Sequence, residues 1–183
     1  MKKFYTSSFN VIKGAANAIQ NEHVFSIATK TPADCAGIKI IPELAPGWDI
    51  VGPYKNAEKN GSDMAEAQKI YEKAYWNKIL KGTSPDIIPD GAILCCYENS
   101  SKFCHRQLVA KWATWADKNV EYGGELDTAK KVFDVLAKDI QTDLNFEEET
   151  KMTNEVINNV ATDTISAQTD TATVNAVTEN VEK

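Results

Sequence analysis

Between Ala92 and Leu108 the chain reads AILCCYENSSKFCHRQL, and Glu98, Cys104, His105 and Arg106 within it could do chemistry together. The apolar run before Glu98 reads as a buried strand that delivers this carboxylate to its carboxyl end. A helix opening at Cys104 presents unpaired backbone N–H groups and a partial positive charge. Such an end lowers a thiol pKa and attracts phosphate or carboxylate. Cys104 is therefore a candidate nucleophile, and His105, with its ordinary pKa near neutrality, a general acid or base. Arg106 is a fork-shaped donor for anions. Glu98 could orient Arg106, hold a ribose hydroxyl, or act as base or nucleophile. Each has a plainer alternative: Cys104 as an inert packed thiol, His105 as a packing residue, and Arg106 as the ion-pair partner of Glu98.

Cys95 and Cys96 lie within the strand and point to opposite faces, which makes them expected core fillers. Neither a metal nor a cofactor is expected. Zinc held by Cys95, Cys96, Cys104 and His105 is disfavoured because the chain has no Cys-x-x-Cys pair. The Cys-x5-Arg loop of cysteine phosphatases is not matched either: Lys102 stands where Arg would follow Cys96, and Arg106 follows Cys104 too soon.

Alternating segments must position these residues. Lys2–Thr6, His23–Thr29, Ile38–Leu44, Gly91–Tyr97 and Val120–Leu126 read as strands, the fourth central because it lacks polar alternation. Helices are expected over 10–20, from Asp63 to about Lys81, from Cys104 to Asn119, and after Asp127. The inner stripe of the second is read as Ala67, Ile70, Tyr71, Ala74, Tyr75 and Ile79. Trp112 and Trp115 are assigned to the inner face of the third, and Val132, Phe133, Leu136 and Ile140 to that of the last. Residues 45–61 carry Pro46, Gly47, Gly52, Pro53 and Gly61 and read as a long loop that could close over a ligand with Trp48 and Tyr54.

Strands alternating with helices imply an α/β fold: a single three-layer domain with a mostly parallel, Rossmann-like sheet. Ligands in such folds bind at the carboxyl ends of the strands. That rule adds Tyr5, Thr6 and Ser7 after the first strand and Lys30 after the second as candidate ligand-binding residues beside Arg106 and Glu98.

Charge divides the chain at residue 146. The net charge is −6, and residues 147–183 account for all of it, with Lys151 and Lys183 against eight acids. All the Gly, Pro, Cys and aromatic residues precede this point. The domain is therefore drawn as 1–146, and 147–183 as an acidic, disordered or loosely helical tail. A weak heptad at Val156, Val160, Ala167, Val174, Val177 and Val181 leaves self-association through the tail open. A neutral body without basic stripes argues against an extended nucleic-acid groove. No apolar run is long enough for a membrane span, and no secretory signal is read after Lys2 and Lys3. A cytoplasmic location with reduced cysteines is expected.

Leu94-Cys95-Cys96-Tyr97-Glu98, then Cys104-His105-Arg106 and Leu108, resemble the family catalogued as domain of unknown function 488. Tyr5-Thr6-Ser7 and the stretch Ser26–Pro32 support the resemblance, which spans roughly residues 1–126. Lys30 stands where many members place an Arg, as in a short subgroup that includes phage-borne members. The resemblance implies a compact α/β fold and a site at these residues, and no particular reaction. Two functions are expected from the residues. One is binding of a small anionic, nucleotide-like or phosphorylated metabolite through Arg106, Lys30, Tyr5, Thr6, Ser7 and Glu98. The other is hydrolysis or transfer at an N-glycosidic or phosphoester bond through Glu98, Cys104 and His105. A plain interaction module with an acidic tail is the third alternative.

Overall fold

Five short segments form one sheet in the computed structural model, which describes residues 1–138. The strands are β1 (Lys2–Ser8), β2 (Val24–Ser26), β3 (Lys39–Ile40), β4 (Ile93–Cys96) and β5 (Val120–Leu126). They lie in the order β3-β2-β4-β1-β5, and every pairing is parallel. The fold is α/β with an all-parallel sheet flanked by helices. The expectations for the tail at 147–183, its self-association and Ile140 fall outside the described residues.

β4 is buried at all four positions and is clasped between β1 and β2, as expected of a strand without polar alternation. Ser8 stands opposite Cys96, and Ser26 opposite Cys95. The chain leaves β2 toward β3 and leaves β4 toward β5, so their connections diverge from neighbouring carboxyl ends. Divergence of this kind opens a crevice above a parallel sheet.

Right-handed crossovers sort the helices between the two faces. Leftward steps carry α1 (Phe9–Gly14) and a 3-10 turn at Ala33–Cys35, which pack on one another. Rightward steps carry α2 (Trp48–Asn60), α3 (Met64–Lys78) and α4 (His105–Ala116), with α3 packed on both α2 and α4. A final helix, α5, spans 129–138. The core between these layers holds Phe4, Ile12, Val24, Ile27, Ile93, Leu94 and Val109, all fully buried.

Local chemistry accounts for most boundaries. Asp63 caps α3 by accepting from the backbone N–H groups of Ala65 and Glu66. Ser8 caps α1 through the N–H of Val11. The strand expected over Ile38–Leu44 is reduced to two residues at the sheet edge, because Pro42 opens a 3-10 turn.

The expected loop at 45–61 is corrected to helix α2. Pro53 lies inside it, and the preceding Gly52 has no Cβ to clash with the proline ring, so it keeps helical backbone. A Cβ at Gly52 would also crowd the Trp48 indole nitrogen at 3.0 Å. Gly61 ends α2 at φ 65°, the left-handed conformation that glycine adopts without penalty. Three inward assignments are corrected as well, since Ile70, Trp115 and Phe133 are exposed. Trp115 lies off the buried stripe of α4 and meets Trp76 of α3 edge-on, with ring centroids 5.6 Å apart.

Candidate functional site

A cavity of about 690 Å³ opens where β2 and β4 end. Ala28, Thr29 and Lys30 line it from just beyond β2; Cys96, Tyr97 and Glu98 from the end of β4 and just after it; Phe103, Cys104 and His105 from the start of α4. α2 and α3 form its roof through Trp48, Val51, Tyr54, Lys55 and Tyr71. Tyr54, Tyr71 and Phe103 pack mutually, with ring centroids 5.3–5.8 Å apart. Its volume falls within the range of about 300–1,000 Å³ that small-molecule sites occupy, and its apolar walls with few polar groups are typical of them.

The rim is pinned by hydrogen bonds across the gap. The Tyr97 hydroxyl donates to the Lys30 carbonyl at 2.7 Å, and Thr29 Oγ1 donates to the Pro46 carbonyl. Glu98 accepts from Lys55 Nζ at 2.8 Å and lies 4.0 Å from Lys102 Nζ. Burial opposes the charge of Lys55, but hydrogen bonds to Glu98 and Glu58 hold its pKa above the ordinary lysine value. Lys30 is exposed at the mouth and has no carboxylate within ion-pair distance among the described residues.

The floor is a cluster of two thiols and an imidazole. His105 is 5 % exposed, and its Nε2 lies 2.7 Å from the Ile27 carbonyl oxygen. A carbonyl only accepts, so Nε2 carries a proton and Nδ1 presents its lone pair in neutral imidazole. Nδ1 lies 3.5 Å from Cys96 Sγ and 3.9 Å from Cys104 Sγ. The hydrogen bond with Cys96 is the largest influence on Cys104 and pulls its thiol well below the ordinary range. Burial opposes this, while His105 and Arg106 add to it. Cys96, which donates that hydrogen bond and is buried, is pushed well above the ordinary range.

The structure divides the residues expected at the site into two groups. Glu98, Cys104, His105 and Lys30 meet at the cavity. Arg106, Tyr5, Thr6 and Ser7 lie elsewhere, around β5. Arg106 is fully buried; its Nε donates to both oxygens of Glu125 at 3.1 and 3.2 Å, and its Nη2 lies 2.9 Å from Oε1. Thr6 Oγ1 donates to Glu125 Oε2 at 2.5 Å and pairs with the Tyr122 hydroxyl at 2.7 Å. Ser7 donates to the Leu126 carbonyl at 2.7 Å. The pairing of Arg106 with Glu98 is therefore corrected: Glu125 holds Arg106 and Lys55 holds Glu98.

A bulge makes the second group possible. Phe4 pairs with Tyr122 and Thr6 with Glu125, so β5 spends three residues where β1 spends two. Without the extra residue, Tyr122 and Glu125 would face opposite sides of the sheet. With it, both reach Thr6. Gly123 supplies the room, since a Cβ there would stand 2.2 Å from Tyr5 Cε1, and Gly124 adopts φ 105°.

Sequence reasoning missed Lys55, Tyr71, Cys96 and Glu125. Cys95 and Cys96 are both buried in the core, as expected, but Cys96 also lines the cavity beside Cys104 without any Cys-x-x-Cys spacing. The adjacent glycines at 123 and 124 are the sequence signal for a bulge that re-aims Glu125. Lys55 was hidden within a segment read as loop.

These features define a parallel α/β protein with a ligand-sized cavity at the carboxyl ends of its strands. No family model, no curated protein and no solved structure matches the chain. No helix among the described residues is long and apolar enough to cross a membrane.

Proposed function

We propose that this protein binds a small anionic molecule with a flat ring system, of nucleotide-like or phosphorylated type, in the cavity between the ends of β2 and β4. The observation that carries this reading is the cavity itself: aromatic walls from Tyr54, Tyr71 and Phe103 beside a rim bearing Lys30 and the Lys55–Glu98 pair. Aromatic faces suit a planar ring. Lys30, free of any carboxylate among the described residues, suits phosphate or carboxylate, and Glu98 suits ligand hydroxyls. Arg106 supports the site indirectly, since its charge favours the anionic form of Cys104 from behind the floor.

A thermal-shift screen over nucleotides, cyclic nucleotides, nucleotide sugars and sugar phosphates tests the reading, because a ligand that binds only the folded state raises apparent stability by mass action. Lys30→Ala is expected to weaken any ligand found by about tenfold, the order of one charge-assisted contact.

A further inference from the structure

We propose that Cys96, Cys104 and His105 form a site for a divalent, borderline-soft metal ion, with zinc as the best fit, whose open coordination position faces the cavity. Their ligand atoms all lie within 4.8 Å of one another. Tetrahedral zinc has Zn–S near 2.3 Å and Zn–N near 2.0–2.1 Å, which sets an S···N edge of about 3.6 Å and an S···S edge of about 3.8 Å. Nδ1 of His105 stands 3.5 and 3.9 Å from the two sulfurs. Both S···N edges thus already stand close to those of a tetrahedral face, and the two sulfurs lie within 4.8 Å of one another.

Three further observations support the assignment. The Ile27 carbonyl accepts a hydrogen bond from His105 Nε2–H, which orients the ring and leaves the Nδ1 lone pair free for a metal, as partners behind metal-ligating histidines do. Tyr75 packs edge-on against the imidazole, with centroids 5.4 Å apart, and fixes its plane. Two thiolates balance the charge of a divalent ion, so the loaded site is neutral where water is scarce. Thiolate and imidazole together select zinc over magnesium or calcium, which prefer oxygen.

Three protein ligands with one position left open is the arrangement of a catalytic or ligand-gripping zinc rather than a closed structural one. Such an ion would grip an anionic atom of a cavity ligand or lower the pKa of a bound water. This inference stands apart from the identity of the organic ligand, because it is tested with metal alone.

The full chain, reduced and stripped of metal, is titrated with cobalt(II). Saturation at one ion per chain, with thiolate-to-cobalt charge transfer and the visible bands of a tetrahedral site, is expected. Cys96→Ser or Cys104→Ser should each remove about half of the charge-transfer intensity, since each deletes one of two sulfur ligands. In the wild-type chain, whose folding is not in question, zinc should block alkylation at Cys96 and Cys104 and leave Cys35 and Cys95 unchanged. Absence of charge transfer, its full survival in both serine variants, or alkylation of Cys96 and Cys104 indifferent to zinc would each overturn the assignment.

Discussion

His105 Nε2 stands 2.7 Å from the carbonyl oxygen of Ile27, joining the first turn of α4 to the chain just beyond β2. The contact spans the two elements whose ends form the cavity and points Nδ1 at two thiols. His105→Phe keeps the ring and its edge contact with Tyr75 but leaves a buried carbonyl without a donor. A loss of about 1–3 kcal/mol is expected, read as a fall in the denaturation midpoint. Unchanged stability would mean that the hydrogen bond does not hold the cavity floor.

Arg106 is fully buried while its partner Glu125 is 22 % exposed, so removing the carboxylate charge leaves the buried guanidinium uncompensated. Glu125→Gln should be clearly destabilising, by less than the about 3–5 kcal/mol of a fully buried pair, whereas the double replacement Arg106→Met with Glu125→Met should recover much of that loss. Urea melts of the three proteins compare these outcomes. A Glu125→Gln variant as stable as the wild type would show the pair to be dispensable.

Gly123 lies under the Tyr5 ring, where a Cβ has no room. Gly123→Ala is expected to destabilise the fold by about 1–3 kcal/mol, the usual range for overpacking. Combining it with Tyr5→Ser should restore part of the loss, because the colliding ring is gone. A double-mutant cycle with no coupling would refute the steric account.

Lys78, at the end of α3, pairs with Asp49 at the start of α2 and holds the Asp49 carboxyl below its ordinary range. Its folded pKa is therefore depressed relative to the unfolded value of about 3.9. The contribution is present above that value and is lost as pH falls through the folded pKa. Asp49→Asn should thus be less stable than the wild type near neutrality, and the gap should close in acid. A gap that does not change with pH would contradict the assignment of the shift to Lys78.

The parts of this architecture legible in sequence are those that local physics dictates. The run Ile93–Cys96 is apolar on both faces, so a central parallel strand is its natural home. Asp63 opens α3, and Val120–Leu126 forms β5. α2 was not legible: Gly52 and Pro53 within it and Pro46, Gly47 and Gly61 around it are loop formers on average, and only the structure shows that Gly52 relieves Pro53 inside a helix. Glu98, Cys104 and His105 share the cavity because one strand-loop-helix segment carries them. The partners of Arg106 were illegible for the opposite reason. Glu125 is re-aimed by a bulge, and side-chain direction across a bulge depends on the pairing register rather than on any single residue.

The central claim is that the cavity holds a small anion, and equilibrium binding of the thermal-shift hits measures it most directly. Titrations would compare the wild type with Lys30→Ala and with Val51→Trp, which fills the cavity from α2. The account expects saturable binding of at least one nucleotide-like or phosphorylated compound, weakened about tenfold by Lys30→Ala and abolished by Val51→Trp. Binding that survives both substitutions, or a panel in which no compound binds the wild type, would contradict it.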